Sequence, residues 1–392
     1  MNVEKRKIIF VYTNLGIGGI AKSLITLLKM IDYSKFDITL YIRRDDVIDL
    51  LEEVPDEVHT VLVRNEVKKR VFDKTLKGRI VKTIHGFLMK RHKYLAKQLF
   101  IRYKYPLQRK KEAKEFSKLT DEWDVAISYS TDEDDPVFVN DCLKAKKKYV
   151  FVHQSTMLAK RNIRVMKDYN RVICVNPLLV PWVEDITHHK AKVTSLENYV
   201  DNNAIIQLSH NQTEINHTET LVISTCGRLC DTKGYDCVVQ IAAELKRKGL
   251  QFIWYWIGDG PAREDMERMI SQCDLKDKIT ILGNQRNPYP YIGLCDIYVQ
   301  PSRAEAYSLT IREALVLNDP VISTKTTGGK YILEKYQCGF LVDDPVKEIP
   351  SIILDLAQNH DKIMYEQEKT KRIDWEADKQ RYMAQWSSLF EE

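Results

Sequence analysis

Residues 221–235 read LVISTCGRLCDTKGY. The first six, 221–226, are mostly apolar or β-branched and predict a buried strand. Gly227 allows the tight turn that follows, and an amphipathic pattern over 235–248 predicts a helix. A buried strand that leads through a glycine turn into a helix is the repeating unit of parallel α/β sheets. We therefore expect a doubly wound α/β fold.

The same alternation runs along most of the chain. Strands are predicted at 8–13, 38–42, 58–63, 125–128, 148–152, 171–175, 221–226, 251–257, 279–282, 297–300 and 320–323. A polar stretch at 198–219 separates two such series. We expect two Rossmann-like domains, over 1–197 and 198–375, that face a central cleft at the carboxyl ends of their strands. Helical spacing of apolar residues predicts a last helix over 376–392, which would lie on the surface or pack back on the first domain.

The composition is that of a globular protein. The chain has 392 residues, of which 44% are hydrophobic and 29% charged, and 60 basic against 55 acidic residues leave a net charge of +5. These values argue against disorder. No apolar run approaches the ~20 residues that cross a bilayer, and no signal-peptide core precedes the first strand, so a cytoplasmic protein is expected. The eight cysteines form no CxxC pair, which argues against disulfides and zinc.

One segment departs from this charge balance. Residues 64–118 contain 19 Lys and Arg against 4 Asp and Glu, a net charge of +15. Apolar residues recur within it at steps of three and four, which is the pattern of a basic amphipathic helix or helix pair. The segment would be a helical insertion that packs on its own domain or a surface that binds anionic lipid. Nucleic acid is less favoured because no known binding motif accompanies the charge.

Two cations stand beside the helix start predicted after strand 221–226. Arg228 and Lys233 follow this strand, where helix N–H groups already favour anions. A guanidinium fork, an ammonium point charge and a helix terminus together suit a diphosphate. The alternative is that both side chains are only solvated, as most loop cations are.

Two glutamates flank a second predicted helix start. Glu305 falls in the loop that enters the helix, and Glu313 about one turn inside it. The amides of Ser308 and Leu309 at this N-terminus lack intrahelical partners and are able to bind phosphate oxygens. Glu313 is suited to accept hydrogen bonds from ribose hydroxyls. Alternatively, one glutamate favours the helix dipole and the other is solvated.

A series of short motifs spans the second half in a set order. It consists of Gly227-Arg228-Leu229, Lys233-Gly234, Ile257-Gly258-Asp259-Gly260-Pro261, Leu282-Gly283, Cys295-Asp296-Ile297, Pro301-Ser302, Glu305 with Glu313, Pro320-Val321-Ile322-Ser323, Gly328-Gly329 and Gly339-Phe340-Leu341-Val342. In order and spacing the series resembles the retaining glycosyltransferases of family 4 (glycosyl transferases group 1), which have the GT-B fold. The first half resembles the family less closely, through the glycine loop at 14–19 and the strand end Phe151-Val152-His153.

The resemblance implies roles for the matching residues. Arg228 and Lys233 would hold the donor diphosphate, together with the Ser308 and Leu309 amides, and Glu313 would bind the ribose. The other implied donor-binding positions are Gly18, Gly19, Gly227, Gly258, Asn284, Gln285, Arg286 and Glu305.

The resemblance also implies which residues take part in transfer. Glu305 would contact the sugar and His153 would approach it, so the implied catalytic set is Glu305, His153, Arg228 and Lys233. His153 has the alternative of a satisfied strand-end histidine. No metal and no cofactor is implied, because basic side chains and helix dipoles stand in for a metal.

Three features depart from the family pattern or remain outside it. Ile20 and Lys22 stand where the family often has a small residue and Arg, and Asn318 stands where it often has Gly. The acidic run 132–135 has a DxD spacing that suits a divalent metal. Because it follows a strand and precedes Pro136, we expect an acidic turn that caps a helix instead.

The resemblance and the basic segment together imply a function. We expect transfer of a hexose or N-acetylhexosamine, with retained configuration, from a nucleoside-diphosphate sugar whose base is uracil. The expected acceptor is a lipid-linked saccharide, in the synthesis of capsule, lipopolysaccharide or another envelope polysaccharide at the inner face of the cytoplasmic membrane. A GT-B sugar-nucleotide epimerase is the alternative, and a basic nucleic-acid-binding protein is the least favoured.

Overall fold

The protein's structure, a computed structural model, describes residues 5–63, 112, 119, 121–213 and 220–391. The predicted basic insertion at 64–118 lies outside these residues except for Glu112, so the insertion and its membrane role stay predictions. The chain divides into two compact units, Met1–Ser195 and Leu196–Glu392. No helix within the described ranges is long and apolar enough to cross a bilayer.

The first unit is a parallel sheet whose strands alternate with helices. Its described strands are β1 (Arg6–Tyr12), β2 (Phe36–Ile42), β3 (His59–Leu62), β4 (Glu122–Ser128), β5 (Lys144–Val152), β6 (Arg171–Cys174) and β7 (Val193–Ser195). Its described helices are α1 (Gly19–Met30), α2 (Asp135–Cys142), α3 (Lys160–Met166) and α4 (Val180–Ile186). The strand order is β3-β2-β1-β4-β5-β6-β7. The last five residues of β1 are all buried, as in a strand covered on both faces.

The second unit repeats this architecture. Its described strands are β8 (Leu221–Cys226), β9 (Phe252–Ile257), β10 (Ile279–Gly283), β11 (Ile297–Gln300), β12 (Val321–Thr324) and β13 (Phe340–Val342), in the order β10-β9-β8-β11-β12-β13. Its described helices are α5 (Asn202–Ser209), α6 (Tyr235–Arg247), α7 (Arg263–Gln272), α8 (Tyr289–Ile292), α9 (Leu309–Val316), α10 (Thr327–Tyr336), α11 (Pro345–Gln358), α12 (His360–Lys371) and α13 (Trp375–Glu391). Two Rossmann-like α/β units are thus confirmed.

Two tryptophans anchor the sheet of the second unit. Trp254 and Trp256 on β9 are completely buried. The Trp254 indole donates a hydrogen bond to Thr225 Oγ1 (3.1 Å), and the Trp256 indole donates to the carbonyl of Gly227 (3.1 Å). Buried indole N–H groups need such acceptors. The second bond also holds the turn that follows β8, where the candidate site begins.

The predicted strands are all present, with ends that shift by a few residues. Two short strands, β7 and β13, were not predicted as strands. Three residues are too few to show a two-residue periodicity, and only pairing with β6 and β12 defines them. The predicted last helix is α13, which packs within the second unit through stacking of Tyr382 on Tyr199, with ring centroids 4.9 Å apart. Its packing on the first domain stays a prediction.

Candidate functional site

The strand order of the second unit indicates where a ligand would bind, which is at the carboxyl ends of the central strands. From β8 the chain passes to β9 on one side and later reaches β11 on the other side. Ligands of such sheets bind outside the carboxyl ends of the strands at this change of direction. The loop after β8 carries Arg228 and Lys233, and the loop after β11 carries Glu305. The predicted donor-side residues therefore meet at the position that the fold favours.

Glycines let the loops after β8, β9 and β10 lie directly against one another. The Gly227 amide donates to the Ile257 carbonyl (2.9 Å), and the Gly258 amide donates to the Gly283 carbonyl (2.8 Å). Gly258 has φ +136°, and a Cβ there would lie 2.1 Å from the carbonyl oxygen of Gly227. The structure thus brings the predicted Gly227 and Gly258 together, and their close packing excludes a side chain at Gly258.

Lys233 ends a short 3₁₀ turn (Asp231–Lys233) that is pressed against the end of β11. The next residue, Gly234, has φ +71°, and a Cβ there would lie 2.1 Å from the carbonyl oxygen of Pro301. The methylene chain of Lys233 runs past Gly227, where a Cβ would come within 3.4 Å of Lys233 Cδ. These two glycines aim the Lys233 ammonium toward the loop after β11.

Glu305 receives this ammonium. Lys233 Nζ lies 2.5 Å from Glu305 Oε1. The same oxygen accepts hydrogen bonds from Gln300 Nε2 (2.7 Å) and Ser302 Oγ (2.8 Å). The Lys233 and Glu305 side chains are 24% and 10% exposed, so the pair is largely withdrawn from water. Burial strengthens an ion pair that has additional hydrogen bonds. Here three donors, from Lys233, Gln300 and Ser302, hold the same carboxylate oxygen of Glu305.

Gln300 is oriented by donors on its other side. Its amide oxygen accepts from Tyr298 Oη (2.8 Å) and Thr310 Oγ1 (2.9 Å). Both donors require the oxygen to face them, which turns the amide nitrogen toward Ser302 and Glu305. The sequence pattern gave no role to Gln300 or Tyr298, and Ser302 appeared only within the motif Pro301-Ser302. A polar residue at the end of an otherwise apolar strand was the available signal for Gln300.

The helix α9 begins beside this network. Its N-cap is Ser308, which has a left-handed backbone (φ 68°, ψ 64°) and makes no capping hydrogen bond. The N-terminus of α10 supports the same loop: the Gly328 amide donates to the Glu305 carbonyl (2.8 Å), and a Cβ at Gly328 would lie 2.6 Å from the Tyr307 carbonyl carbon. Ser308 and Leu309 thus form a helix start next to Glu305, as predicted. Their role in phosphate binding stays a prediction.

Arg228 and Glu313 differ in exposure. Arg228 is exposed and has no hydrogen-bond or ion-pair partner among the residues that the structure describes. Glu313 lies inside α9 and is 3% exposed, and its Oε1 accepts from Tyr289 Oη (3.2 Å). Glu313, which was predicted to bind ribose, is therefore a buried carboxylate held in place by Tyr289. Arg228 is a cation that is available to an anionic ligand.

Three of the implied donor-binding positions, Asn284, Gln285 and Arg286, follow β10. Asn284 Oδ1 accepts from the Asp259 amide (3.0 Å), and Gln285 Nε2 donates to the Leu282 carbonyl (2.9 Å). Arg286 is exposed. The Asn284 contact joins the loops after β9 and β10, and the Gln285 contact folds its own loop back on β10, so both residues have structural roles in addition to the predicted one.

The remaining predicted residues belong to the first unit. Gly18 is the N-cap of α1, with extended backbone (φ 179°), and Gly19 is the first residue of that helix. Both are exposed. His153 follows β5, with its ring centroid 5.1 Å from that of Tyr129. Burial lowers the pKa of His153 to about 3, so its imidazole is neutral at pH 7.

The acidic run 132–135 does not cap a helix through its side chains. The N-cap of α2 is Asp134, and it makes no side-chain capping bond. Instead, Asp134 and Asp135 lie 2.8 and 2.9 Å from Nη1 of the buried Arg43, whose Nε lies 3.3 Å from Glu112. The predicted acidic turn is therefore present at the start of α2. Its carboxylates act as counterions of a buried guanidinium and not as side-chain caps. Among the described residues, no group of three His, Cys, Asp or Glu side chains is arranged to hold a metal.

Comparison with known proteins finds a family match within the second unit. Residues 206–377 match the family model described as Glycosyl transferases group 1. Alpha-D-kanosaminyltransferase of Streptomyces kanamyceticus is 31% identical over 123 residues, which are 31% of this chain and 32% of that protein. The lipopolysaccharide core biosynthesis glycosyltransferase LpsE of Rhizobium meliloti is 20% identical over 173 residues, 44% of this chain and 49% of its own. The chain thus aligns with a third to a half of these relatives' length.

Solved structures agree on the fold. A crystal structure of a mutant of S. aureus TarM, in complex with fondaparinux, alpha-GlcNAc-glycerol and UDP, has a TM-score of 0.73 to this chain. The match covers 99% of this chain and 100% of that chain at 14% identity. The fold class is therefore GT-B, as predicted. The match of residues 206–377 confirms the resemblance to glycosyl transferases group 1. The assignment to the retaining enzymes of family 4 stays a prediction.

Proposed function

We propose that this chain is a retaining glycosyltransferase that uses a nucleoside-diphosphate sugar, with UDP as the nucleotide, and a saccharide acceptor. One observation carries the proposal. The Lys233–Glu305 pair, the exposed Arg228 and the start of α9 lie at the carboxyl edge of β8 and β11. Two cations and a helix terminus suit a diphosphate, and the adjacent carboxylate suits sugar hydroxyls.

The proposed reaction exchanges one bond at the anomeric carbon for another. The bond from this carbon to the diphosphate oxygen breaks, and the acceptor hydroxyl oxygen bonds to the same face of the carbon. The leaving phosphate accepts the hydroxyl proton. Arg228 and Lys233 stabilise the charge that develops on the diphosphate, and Glu305 positions the sugar. His153, neutral at pH 7, binds a sugar hydroxyl without acting as a cation.

The donor test is ligand-induced thermal stabilisation. UDP, GDP and ADP, followed by UDP-glucose and UDP-N-acetylglucosamine, are added at matched concentrations, and we expect UDP and one UDP-sugar to raise the Tm. Arg228→Ala should abolish this rise without changing the Tm of the free protein, since the side chain is exposed. The control is Arg247→Ala, which removes an exposed cation from the opposite end of α6. Absence of any nucleotide effect on the wild type would contradict the proposal.

The proposed acceptor is a lipid-linked saccharide for an envelope polysaccharide, bound at the inner face of the cytoplasmic membrane. The +15 segment 64–118 and the similarity to LpsE support this assignment. Sedimentation with vesicles containing phosphatidylglycerol at low salt tests it, with phosphatidylcholine vesicles as the control. If the protein sediments with neither vesicle type, the proposed binding to the membrane is wrong. Incubation of the UDP-sugar without acceptor tests the epimerase alternative, because only an epimerase changes the sugar.

We also propose that transfer needs no metal and no cofactor. Arg228, Lys233 and the α9 terminus provide the positive charge that a divalent ion would supply in other transferases. Transfer rates in EDTA should equal those in Mg²⁺ and Mn²⁺. A requirement for either ion would contradict this part of the proposal.

A further inference from the structure

We infer that the hydroxyl of Ser308 donates a hydrogen bond to the diphosphate of the donor, in addition to any contact from its backbone. The inference rests on the proposed function and concerns the same site. It assigns a ligand contact to a side chain that the sequence singles out only for its amide.

The Ser308 hydroxyl is buried and unsatisfied in the protein alone. Ser308 is 5% exposed, and its Oγ has no hydrogen-bond partner among the described residues. An unpaired buried hydroxyl is unfavourable, and folded proteins keep few of them. A ligand oxygen that approaches the start of α9 would provide the missing acceptor.

The equivalent residue of the next helix behaves differently. Thr326 is the N-cap of α10, and its side chain accepts a hydrogen bond from the Gly329 amide (3.1 Å). Ser308 holds the N-cap position of α9 but makes no such bond. A serine at an N-cap ordinarily satisfies a first-turn amide. At α9 the hydroxyl and the amides of Leu309 and Thr310 therefore stay available for one ligand.

The surrounding charges indicate the class of this ligand. Glu305, three residues before Ser308, is paired with Lys233, and hydroxyls on both sides of Ser308 are already engaged. Ser302 Oγ bonds to Glu305 (2.8 Å) and Thr310 Oγ1 bonds to Gln300 (2.9 Å). A neutral hydroxyl, free amides at a helix start and a nearby ammonium all donate, so the ligand must offer several acceptor oxygens with negative charge. A diphosphate meets this requirement.

The backbone at Ser308 makes the inference testable. With φ 68°, Ser308 occupies a left-handed conformation that glycine adopts without strain. Ser308→Gly should therefore stabilise the free protein while it removes the hydroxyl. Ser308→Ala removes the hydroxyl but keeps the strain. Gln337→Gly is the matched control, since Gln337 is exposed, has φ 51° and ends α10 away from this loop.

Binding of UDP and of inorganic pyrophosphate is measured by calorimetry, and the Tm of each free variant by scanning. We expect Ser308→Gly and Ser308→Ala to weaken both ligands about tenfold, as for loss of one hydrogen bond to a charged group. Ser308→Gly and Gln337→Gly should raise the Tm by about 2–4 °C, and Gln337→Gly should bind both ligands as the wild type does.

The outcomes separate this inference from the proposed function. If the wild type binds neither UDP nor any other nucleoside diphosphate, the proposed function and the inference both fail. If the wild type binds UDP and both Ser308 variants bind it as tightly as the wild type does, only the inference fails. If the variants lose affinity for UDP but not for pyrophosphate, the hydroxyl contacts another part of the nucleotide and the inference also fails.

Discussion

Lys233 Nζ lies 2.5 Å from Oε1 of Glu305, although the two residues are 72 positions apart in the chain. The cation assigned to the diphosphate and the carboxylate assigned to the sugar are thus one ion pair in the protein alone. In the proposed complex a diphosphate would share Lys233 with Glu305, and a sugar hydroxyl would share Glu305 with Lys233. We therefore expect binding of the two parts of the donor to be coupled through this pair.

A double-mutant cycle tests this coupling. Lys233→Met and Glu305→Gln should each lower kcat/KM by about 10²-fold or more, because each removes charge that acts in the transition state. The double variant should be less impaired than the product of the two effects, with a coupling energy of about 1–3 kcal/mol. Rates with a UDP-sugar and Tm values are measured for all four proteins. Effects on kcat/KM that simply multiply would show that the pair does not act as a unit.

Gln300 should act through Glu305. Gln300→Glu places a second carboxylate where Nε2 now lies 2.7 Å from Glu305 Oε1, so repulsion should displace Glu305. We expect turnover to fall at least tenfold, accompanied by a lower Tm.

The exchanged double variant, Gln300→Glu with Glu305→Gln, separates stability from positioning. It restores one amide and one carboxylate to the network, so the Tm should recover. Turnover should stay low, because the carboxylate now occupies the wrong position. Recovery of both quantities would mean that Glu305 has only a structural role.

Gly234 should be irreplaceable in the turn that carries Lys233. Gly234→Ala adds a Cβ 2.1 Å from the Pro301 carbonyl oxygen at φ +71°, so the loop must move. We expect a loss of about 2 kcal/mol or more in unfolding free energy, together with weaker UDP binding. Gly249→Ala is the control, since Gly249 has φ +80° but open space around it. It should cost only about 1 kcal/mol and leave binding unchanged. Equal effects of both changes on UDP binding would contradict this explanation.

The ion pair between Arg312 and Asp378 should be essential for the second unit. Arg312 Nη1 lies 2.5 Å from Asp378 Oδ2, and the two side chains are 1% and 6% exposed. Burial opposes ionisation of Asp378, but Arg312 and Lys335 outweigh it and lower its pKa. Asp378→Asn should therefore cost about 3 kcal/mol by urea unfolding.

Arg381→Ala is the control for this pair. It removes a half-exposed partner of the same carboxylate and should cost less than about 1 kcal/mol. The pair would not be important for stability if Asp378→Asn and Arg381→Ala had the same small effect.

Asp135 should make the stability of the first unit decrease as the pH rises above 4. Burial raises the pKa of Asp135 to about 6, although Arg43 and Thr13 oppose the rise. The folded state then binds more protons than the unfolded state between pH 4 and 6, so this group's contribution to stability falls as the pH rises through that range. Through this group the free energy of unfolding of the wild type should fall by about 1–3 kcal/mol between pH 4 and 7, and Asp135→Asn should remove that fall. Urea unfolding at several pH values measures it. An unchanged slope in the variant would assign the dependence to another group.

The sequence by itself determined all the described strands except β7 and β13, the division into two similar units and the loops in which Arg228, Lys233 and Glu305 lie. These features follow from patterns that span a few residues. Apolar runs predict buried strands, helical spacing predicts helices, and glycines mark turns where only they fit. Glu305 before α9 and Glu313 within it could be placed for the same reason.

Only the tertiary structure decided which side chains meet. Sheet order brings the loop after β8 beside the loop after β11, so Lys233 pairs with Glu305 and Gln300 supports that carboxylate. The pairing of Asp134 and Asp135 with Arg43 could not be predicted from sequence, because Arg43 lies about 90 residues away. Ion pairs and hydrogen bonds depend on distances of a few ångströms between residues far apart in the chain, and no local pattern encodes those distances.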